Sequence, residues 1–125
     1  MIYEGDNDTA FDIPQEKFID QFNEIVARVH RELPETRVYV LSVKPSMARA
    51  TVWPQAKQLS AGLKLIAQSN PLVHCIDVAT PLLKADGTVM DDIFIEDGLH
   101  LNRKGNQIWG ATIKAGLIKT EGQYQ

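Results

Sequence analysis

Two predominantly apolar runs, each flanked by segments of helical periodicity, constrain the fold of this chain more than any other feature. Residues 37–43 (RVYVLSV) and 72–78 (LVHCIDV) are rich in β-branched side chains, as expected of strands covered on both faces. Apolar residues recur every three or four positions over 14–33, over 54–69 and again after residue 102. This alternation predicts parallel strands joined by right-handed helical crossovers, and therefore an α/β three-layer sandwich.

The predicted sheet is small for such an architecture. Only two full strands are visible, and Met1–Glu4 has the pattern of the last residues of a third strand. Two strands and part of a third fall below the usual sheet size. The sequence is therefore expected to be the C-terminal part of a larger α/β domain, with an N-terminally incomplete parallel sheet. We predict one partial domain over residues 1–119 and a flexible tail over 120–125.

Composition and charge argue against several classes of protein. Of 125 residues, 13 are Lys or Arg and 16 are Asp or Glu, and no basic run suggests nucleic-acid binding. No apolar stretch approaches the ~18 residues that a membrane span needs. One cysteine, Cys75, and scattered histidines do not form a typical metal site. The predicted location is the cytoplasm, although a signal peptide on a longer precursor would leave no trace in this sequence.

The segment Asp97-Gly98-Leu99-His100 is the strongest chemical signal. An aspartate three residues before a histidine can fold back, accept the Nδ1–H and leave Nε2 as a base. Gly98 gives the backbone the freedom for that turn. Taken alone, the pattern more often marks a surface turn with an unrelated histidine. Structural roles are expected for the other two histidines: His30 lies on the exposed side of a helix, and His74 lies within a strand.

A second polar segment, Gly5-Asp6-Asn7-Asp8, follows the strand stub. Gly5 permits a sharp exit from the strand, and the Asn7 amide can donate to an oxyanion. Alone, the segment is equally typical of an acidic turn. Lys44 and Arg49 follow the run 37–43 and either line a pocket mouth or are solvated, and solvation is the favoured interpretation for Lys44.

Together and in this order, the two segments resemble motifs of the SGNH, or GDSL, family of ester hydrolases. Gly5–Asp8 matches the family's third block, glycine-any-asparagine-aspartate, and Asp97–His100 matches its fifth block, aspartate-any-any-histidine. The residues that follow also resemble the family's usual close: Leu101, Asn102, Gly105 and Trp109. The resemblance therefore covers nearly the whole chain.

The resemblance implies a flavodoxin-like domain that hydrolyses a small-molecule ester without a metal or an organic cofactor. His100 would be the general base, Asp97 its orienting partner and Asn7 one oxyanion donor, on a loop shaped by Gly5. Ser42 and Ser46 would lie beside the pocket without serving as nucleophiles, as serines often do in the family.

The family's nucleophile block is missing from this chain. The sequence contains neither a Gly-Asp-Ser run nor a G-x-S-x-G elbow. We predict structural roles for Ser60, Ser69 and Cys75. Two nucleophiles then remain: a water activated by the Asp97–His100 pair, or a serine donated by another chain. Two functions stay open: the C-terminal part of an SGNH ester hydrolase, which we favour, and a non-catalytic module of the same scaffold that acts by binding or self-assembly.

The incomplete sheet also predicts either a homo-oligomer, formed by pairing or swapping around the incomplete edge, or a requirement for a partner fragment. Met1–Glu4, together with residues 38–43, would face an unfilled sheet edge, where unpaired N–H and C=O groups invite another strand. Missing helices would leave an apolar patch beside that edge, and such patches mark partner surfaces.

Overall fold

A two-stranded parallel sheet between helices organises the computed structural model, which describes residues 1–125. In chain order the elements are α1 (Asp6–Ala10), α2 (Gln15–Glu32), β1 (Val38–Leu41), α3 (Trp53–Ser69), β2 (Val73–Ile76) and α4 (Arg103–Glu121). Short 3-10 helices cover Ala50–Val52, Thr80–Leu82 and Gly122–Tyr124. The predicted alternation of helices and parallel strands is confirmed, with each strand shorter than its apolar run.

The sheet is covered on both faces because successive residues of a strand point to opposite sides. Val38 and Val40 of β1 belong to the apolar cluster beneath α2 and α3. Tyr39 and Leu41 belong to the cluster beneath α4. The chain thus forms the predicted three layers, and this double coverage explains why the β1 run is continuously apolar.

The segment before α1 lies beside β1, on the side opposite to β2. Ile2 forms one parallel bridge with Val40: its N–H donates to the Tyr39 carbonyl at 2.7 Å, and its carbonyl accepts from the Leu41 N–H at 3.0 Å. The predicted third strand is therefore present as a single bridge. The expectation that residues 38–43 face an unfilled edge is wrong, because β1 has a neighbour on each side. The outer side of Met1–Glu4 has no strand partner, and neither has the outer side of β2, which pairs only with β1.

The end of the chain packs against the sheet, which differs from the flexible tail predicted over 120–125. Helix α4 continues to Glu121, whose carboxylate accepts hydrogen bonds from Arg37 and from the Tyr39 hydroxyl. The Tyr124 ring lies 4.3 Å from the Arg37 guanidinium carbon. These contacts hold the C-terminal residues at the amino-terminal end of the strands.

The long connection from β2 to α4 is anchored by its own small core. Leu82 and Ile93 are fully buried beneath it. Asn102 caps α4 by accepting a hydrogen bond from the Gly105 N–H at 3.0 Å, and its amide also donates to the carbonyls of Asp92 and Phe94. The turn before α4 is thereby fixed to the helix start. None of the helices combines the length and the apolar character needed to cross a membrane.

Candidate functional site

The turn over residues 97–100 folds the aspartate back onto the histidine. Asp97 Oδ1 accepts the backbone N–H groups of Leu99 and His100 at 2.8 and 2.9 Å, while Asp97 Oδ2 lies 2.5 Å from His100 Nδ1. Gly98 adopts a φ of 64°, a left-handed conformation that suits glycine. The local contact predicted from the spacing of the two residues is therefore present in the structure.

The charge state of Asp97 determines which imidazole nitrogen is free. The hydrogen bond from the His100 side chain, helped by the two backbone N–H groups, lowers the pKa of Asp97 to about 2. An ionised carboxylate can only accept, so Nδ1 carries the proton and donates it. His100 Nε2 makes no hydrogen bond within the chain, and the side chain is 72% exposed. This nitrogen is available to take a proton from a bound molecule.

Asn7 reaches the same region from α1, whose start is set by a sharp turn at Gly5. Gly5 has a φ of 104°, and a Cβ at this position would lie 2.7 Å from the Leu59 side chain. The Gly5 carbonyl accepts hydrogen bonds from the N–H and hydroxyl of Thr9, which closes the first turn of the helix. Glycine is thus required here both by conformation and by space, and it places Asn7 at the carboxyl end of the sheet.

A network of charged residues lies beneath Asn7. Asp6 accepts from Lys44 Nζ at 2.9 Å, from Arg49 Nη1 at 2.6 Å and from the Tyr3 hydroxyl at 3.2 Å. Burial alone would raise the pKa of Asp6, but the hydrogen bonds from Lys44 and Arg49 outweigh it and lower that pKa. Burial, followed by the charge of Asp6, raises the pKa of Tyr3. The three charged side chains therefore form a stable ionic cluster.

This network was missed by the sequence analysis. The favoured interpretation of Lys44 as a solvated residue is wrong, since its side chain is 9% exposed and paired with Asp6. The pairing spans 38 residues along the chain, so no local sequence pattern predicts it. The only available signal was the position of Asp6 and Lys44, each a few residues after a segment of the sheet.

Asn7 and His100 line one cavity of about 260 Å³ at this end of the sheet. Its other lining residues are Tyr3, Glu4, Asp6, Lys44, Arg49 and Leu99. Carboxyl ends of parallel strands meet at one edge of a sheet, which explains why segments distant in sequence converge here. The cavity joins an amide donor and an imidazole acceptor, the two groups that acyl transfer needs around a carbonyl.

No serine, threonine or cysteine lines this cavity. The Ser42 hydroxyl bonds to Asp77 and to the N–H groups of Val78 and Ala79, which ties together the ends of β1 and β2. The Ser60 hydroxyl faces the sheet and accepts from the Val43 N–H.

The remaining candidates hold structural positions. Ser69 bonds within its own helix end, and Ser46 is buried with no hydrogen-bond partner. Burial, helped by the charge of Asp77, raises the pKa of the Cys75 thiol and so disfavours a thiolate. No group of three or more His, Cys, Asp or Glu side chains converges in a way that could hold a metal ion.

The fold and these motifs agree with a known family. Residues 1–108 match the GDSL-like Lipase/Acylhydrolase family, and the chain belongs to that family. The resemblance inferred from the two sequence blocks is therefore confirmed. No curated protein matches the sequence.

Solved structures of low sequence identity share the fold. One is a protein described as a platelet activating factor from Streptococcus pneumonia (22% identity, TM-score 0.79, 91% of this chain and 57% of that chain). Others are a GDSL-like lipase from Bacteroides thetaiotaomicron (19%, 0.75, 94% and 60%) and the OSK domain of Drosophila Oskar (18%, 0.74, 92% and 59%). The chain spans less than two thirds of each of these structures and contains the same α/β architecture.

Proposed function

We propose that this chain carries the general base and one oxyanion donor of a carboxylic ester hydrolase that acts on a small-molecule ester. The observation that supports this proposal best is the convergence of Asn7 and His100 on one cavity, with Asp97 fixing the imidazole. Membership of a lipase and acylhydrolase family supports the same reaction class. Neither role requires a metal or an organic cofactor.

In the proposed reaction, His100 Nε2 takes the proton of an attacking hydroxyl as its oxygen bonds to the ester carbonyl carbon. The carbonyl π electrons move to the oxygen, and the resulting oxyanion accepts a hydrogen bond from Asn7 Nδ2. The intermediate then collapses and breaks the bond to the leaving alkoxide, which takes the proton from His100. Asp97 stays ionised and stabilises the imidazolium that forms in between.

The attacking hydroxyl is the group that this chain supplies least well. With no serine in the cavity, the nucleophile in the chain alone is water. Losing the nucleophilic serine costs a factor of about 10⁶ in kcat in a serine protease. We therefore expect slow hydrolysis, measurable with activated esters, and faster turnover where a second polypeptide donates a serine.

Hydrolysis of p-nitrophenyl acetate tests the proposal through Asn7. Asn7→Ala should lower the rate by about 10²–10³, the cost of one oxyanion donor in related chemistry. Asn23→Ala, at an exposed position on α2, is the matched control and should keep the wild-type rate. Equal rates for wild type and Asn7→Ala would remove Asn7 from the site, and a wild-type rate equal to buffer would refute hydrolysis by the chain alone.

A second candidate function is self-assembly by the same scaffold, and the open side of Met1–Glu4 favours it. Ile2 directs its backbone groups to β1, so the neighbouring residue Tyr3 turns its N–H and C=O outward, where they make no hydrogen bond. A groove of about 110 Å³ runs beside this edge and includes Phe22 and the half-exposed Ile25. A strand from a second copy would pair with the edge and cover the groove.

Sedimentation velocity at micromolar concentration tests this assembly. We expect a wild-type dimer and a monomeric Ile25→Lys variant, because a charge in the groove opposes its burial. Leu65→Lys is the control, since Leu65 is exposed on α3 rather than beside the open edge. A monomeric wild type with cooperative unfolding would contradict assembly through this edge.

A further inference from the structure

Arg49 connects the partly buried ionic cluster to the exposed Asn7. It lies just before the 3-10 helix Ala50–Val52 and reaches across more than forty residues of sequence. Arg49 Nη1 donates to Asp6 Oδ1 at 2.6 Å, and Nη2 donates to Asn7 Oδ1 at 2.8 Å. One planar group therefore binds two neighbouring residues of α1 at once.

The chemistry of this contact fixes the orientation of the Asn7 amide. A guanidinium carries only donors, so the Asn7 atom that faces Arg49 must be the oxygen. Rotating the amide by half a turn would place NH₂ against NH₂ and lose the hydrogen bond. The Asn7 NH₂ is therefore directed away from Arg49, and it makes no hydrogen bond within the chain.

Arg49 can hold this orientation because its inner side is anchored. Its side chain is 18% exposed, and its partner Asp6 is also bound by Lys44 and the Tyr3 hydroxyl. Asn7, in contrast, is exposed and would otherwise sample several amide orientations. Because the pKa of Asp6 is lowered, the anchor stays charged at neutral pH.

From this geometry we propose that Arg49 is a positioning residue that holds the Asn7 NH₂ toward the cavity shared with His100. Its effect on rate rests on the ester hydrolysis proposed above, whereas its effect on Asn7 orientation does not. Lysine cannot replace it, since a single ammonium lacks the planar fork that reaches Asp6 and Asn7 together.

Side-chain ¹⁵N relaxation of the asparagine amides tests the positioning directly. In the wild type, the {¹H}–¹⁵N NOE of Asn7 should be clearly higher than that of the exposed Asn23. Arg49→Met and Arg49→Lys should both lower the Asn7 value toward that of Asn23, while the backbone spectrum stays native. Arg31→Met is the control, because Arg31 pairs only with its neighbour Glu32 on the surface.

The wild-type measurement keeps the proposal falsifiable even where a variant of Arg49 fails to fold. An Asn7 amide as mobile as that of Asn23 in the wild type would overturn it. A rigid Asn7 amide in a natively folded Arg49→Met variant would overturn it as well.

Kinetics then separate this proposal from the proposed function. Arg49→Met should lower kcat for p-nitrophenyl acetate by about 10-fold with KM unchanged, as expected for an interaction used in the transition state. If Asn7 loosens in the variant while the wild type shows no hydrolysis, the positioning stands and the ester hydrolase proposal fails. If Asn7→Ala is slow but Arg49→Met is as fast as wild type, the positioning role fails and the ester hydrolase proposal stands.

Discussion

His100 and His74 lie at opposite ends of the same small sheet. They differ in whether the Nε2 atom of the imidazole is free of a partner within the chain. His74, within β2, lies between the rings of Tyr39 and Tyr124, and its Nε2 is 3.4 Å from the Tyr124 hydroxyl. Burial, followed by the charge of Arg37, lowers the pKa of His74. His100 has one partner, Asp97, and leaves Nε2 open to a cavity.

The comparison shows why a histidine near a carboxylate is not by itself a functional signal. At the amino end, the carboxylate near His74 is that of Glu121. It accepts hydrogen bonds from Arg37 and Tyr39, so this cluster attaches the last helix to the sheet. At the carboxyl end, the carboxylate holds one nitrogen of the imidazole and leaves the other unpaired. A proton acceptor needs that unpaired nitrogen, and His100 combines it with the cavity that Asn7 also lines.

The largest expected effect separates the two histidines by activity. His100→Ala should lower the rate of p-nitrophenyl acetate hydrolysis by ~10²–10⁴, the range for a general base. His74→Gln should retain the wild-type rate, because His74 is remote from the cavity. Initial rates at neutral pH for the two purified variants measure the difference. Equal losses in both variants would show that the activity depends on overall stability rather than on one imidazole.

A slightly smaller effect is expected from Asp97→Asn, which changes the hydrogen bond to His100 but leaves the imidazole in place. An amide can donate to Nδ1, which favours the tautomer that carries its proton on Nε2 and cannot accept one. We therefore expect a loss almost as large as that of His100→Ala, measured by the same initial rates. Retention of most of the activity would mean that Asp97 does not orient the base.

The parts of this structure that were predictable from sequence are those set by local periodicity or short spacing. The three long helices, the two strands and the Asp97–His100 contact all depend on residues within a few positions of one another. The ionic cluster of Asp6, Lys44 and Arg49 was missed because its members meet only through the parallel sheet.

The packing of the C-terminal residues against the sheet was missed for the same reason. Residues 120–125 are polar and look solvated, yet Glu121 finds Arg37 more than eighty positions earlier. The side on which Met1–Glu4 joins the sheet also depends on tertiary packing. Sequence patterns report which residues are buried, whereas partners at long separation are fixed by how the layers stack.

The smallest expected effect concerns the amino end, where Glu121 contributes to stability in a pH-dependent way. Hydrogen bonds from Arg37 and then from Tyr39 lower the pKa of Glu121 to about 2 from an ordinary value of 4.5. Because the folded state binds the carboxylate in its ionised form, this contribution is complete above pH 4.5 and is lost as the pH falls toward about 2. Glu121→Gln should therefore unfold at a lower urea concentration than wild type at pH 7, and the gap between the two midpoints should narrow below pH 4.5. Glu24→Gln, at an exposed position of α2 without an ion pair, is the control and should leave the midpoint unchanged. A gap that stays constant as the pH falls would show that Glu121 holds the last helix by packing rather than by its charge.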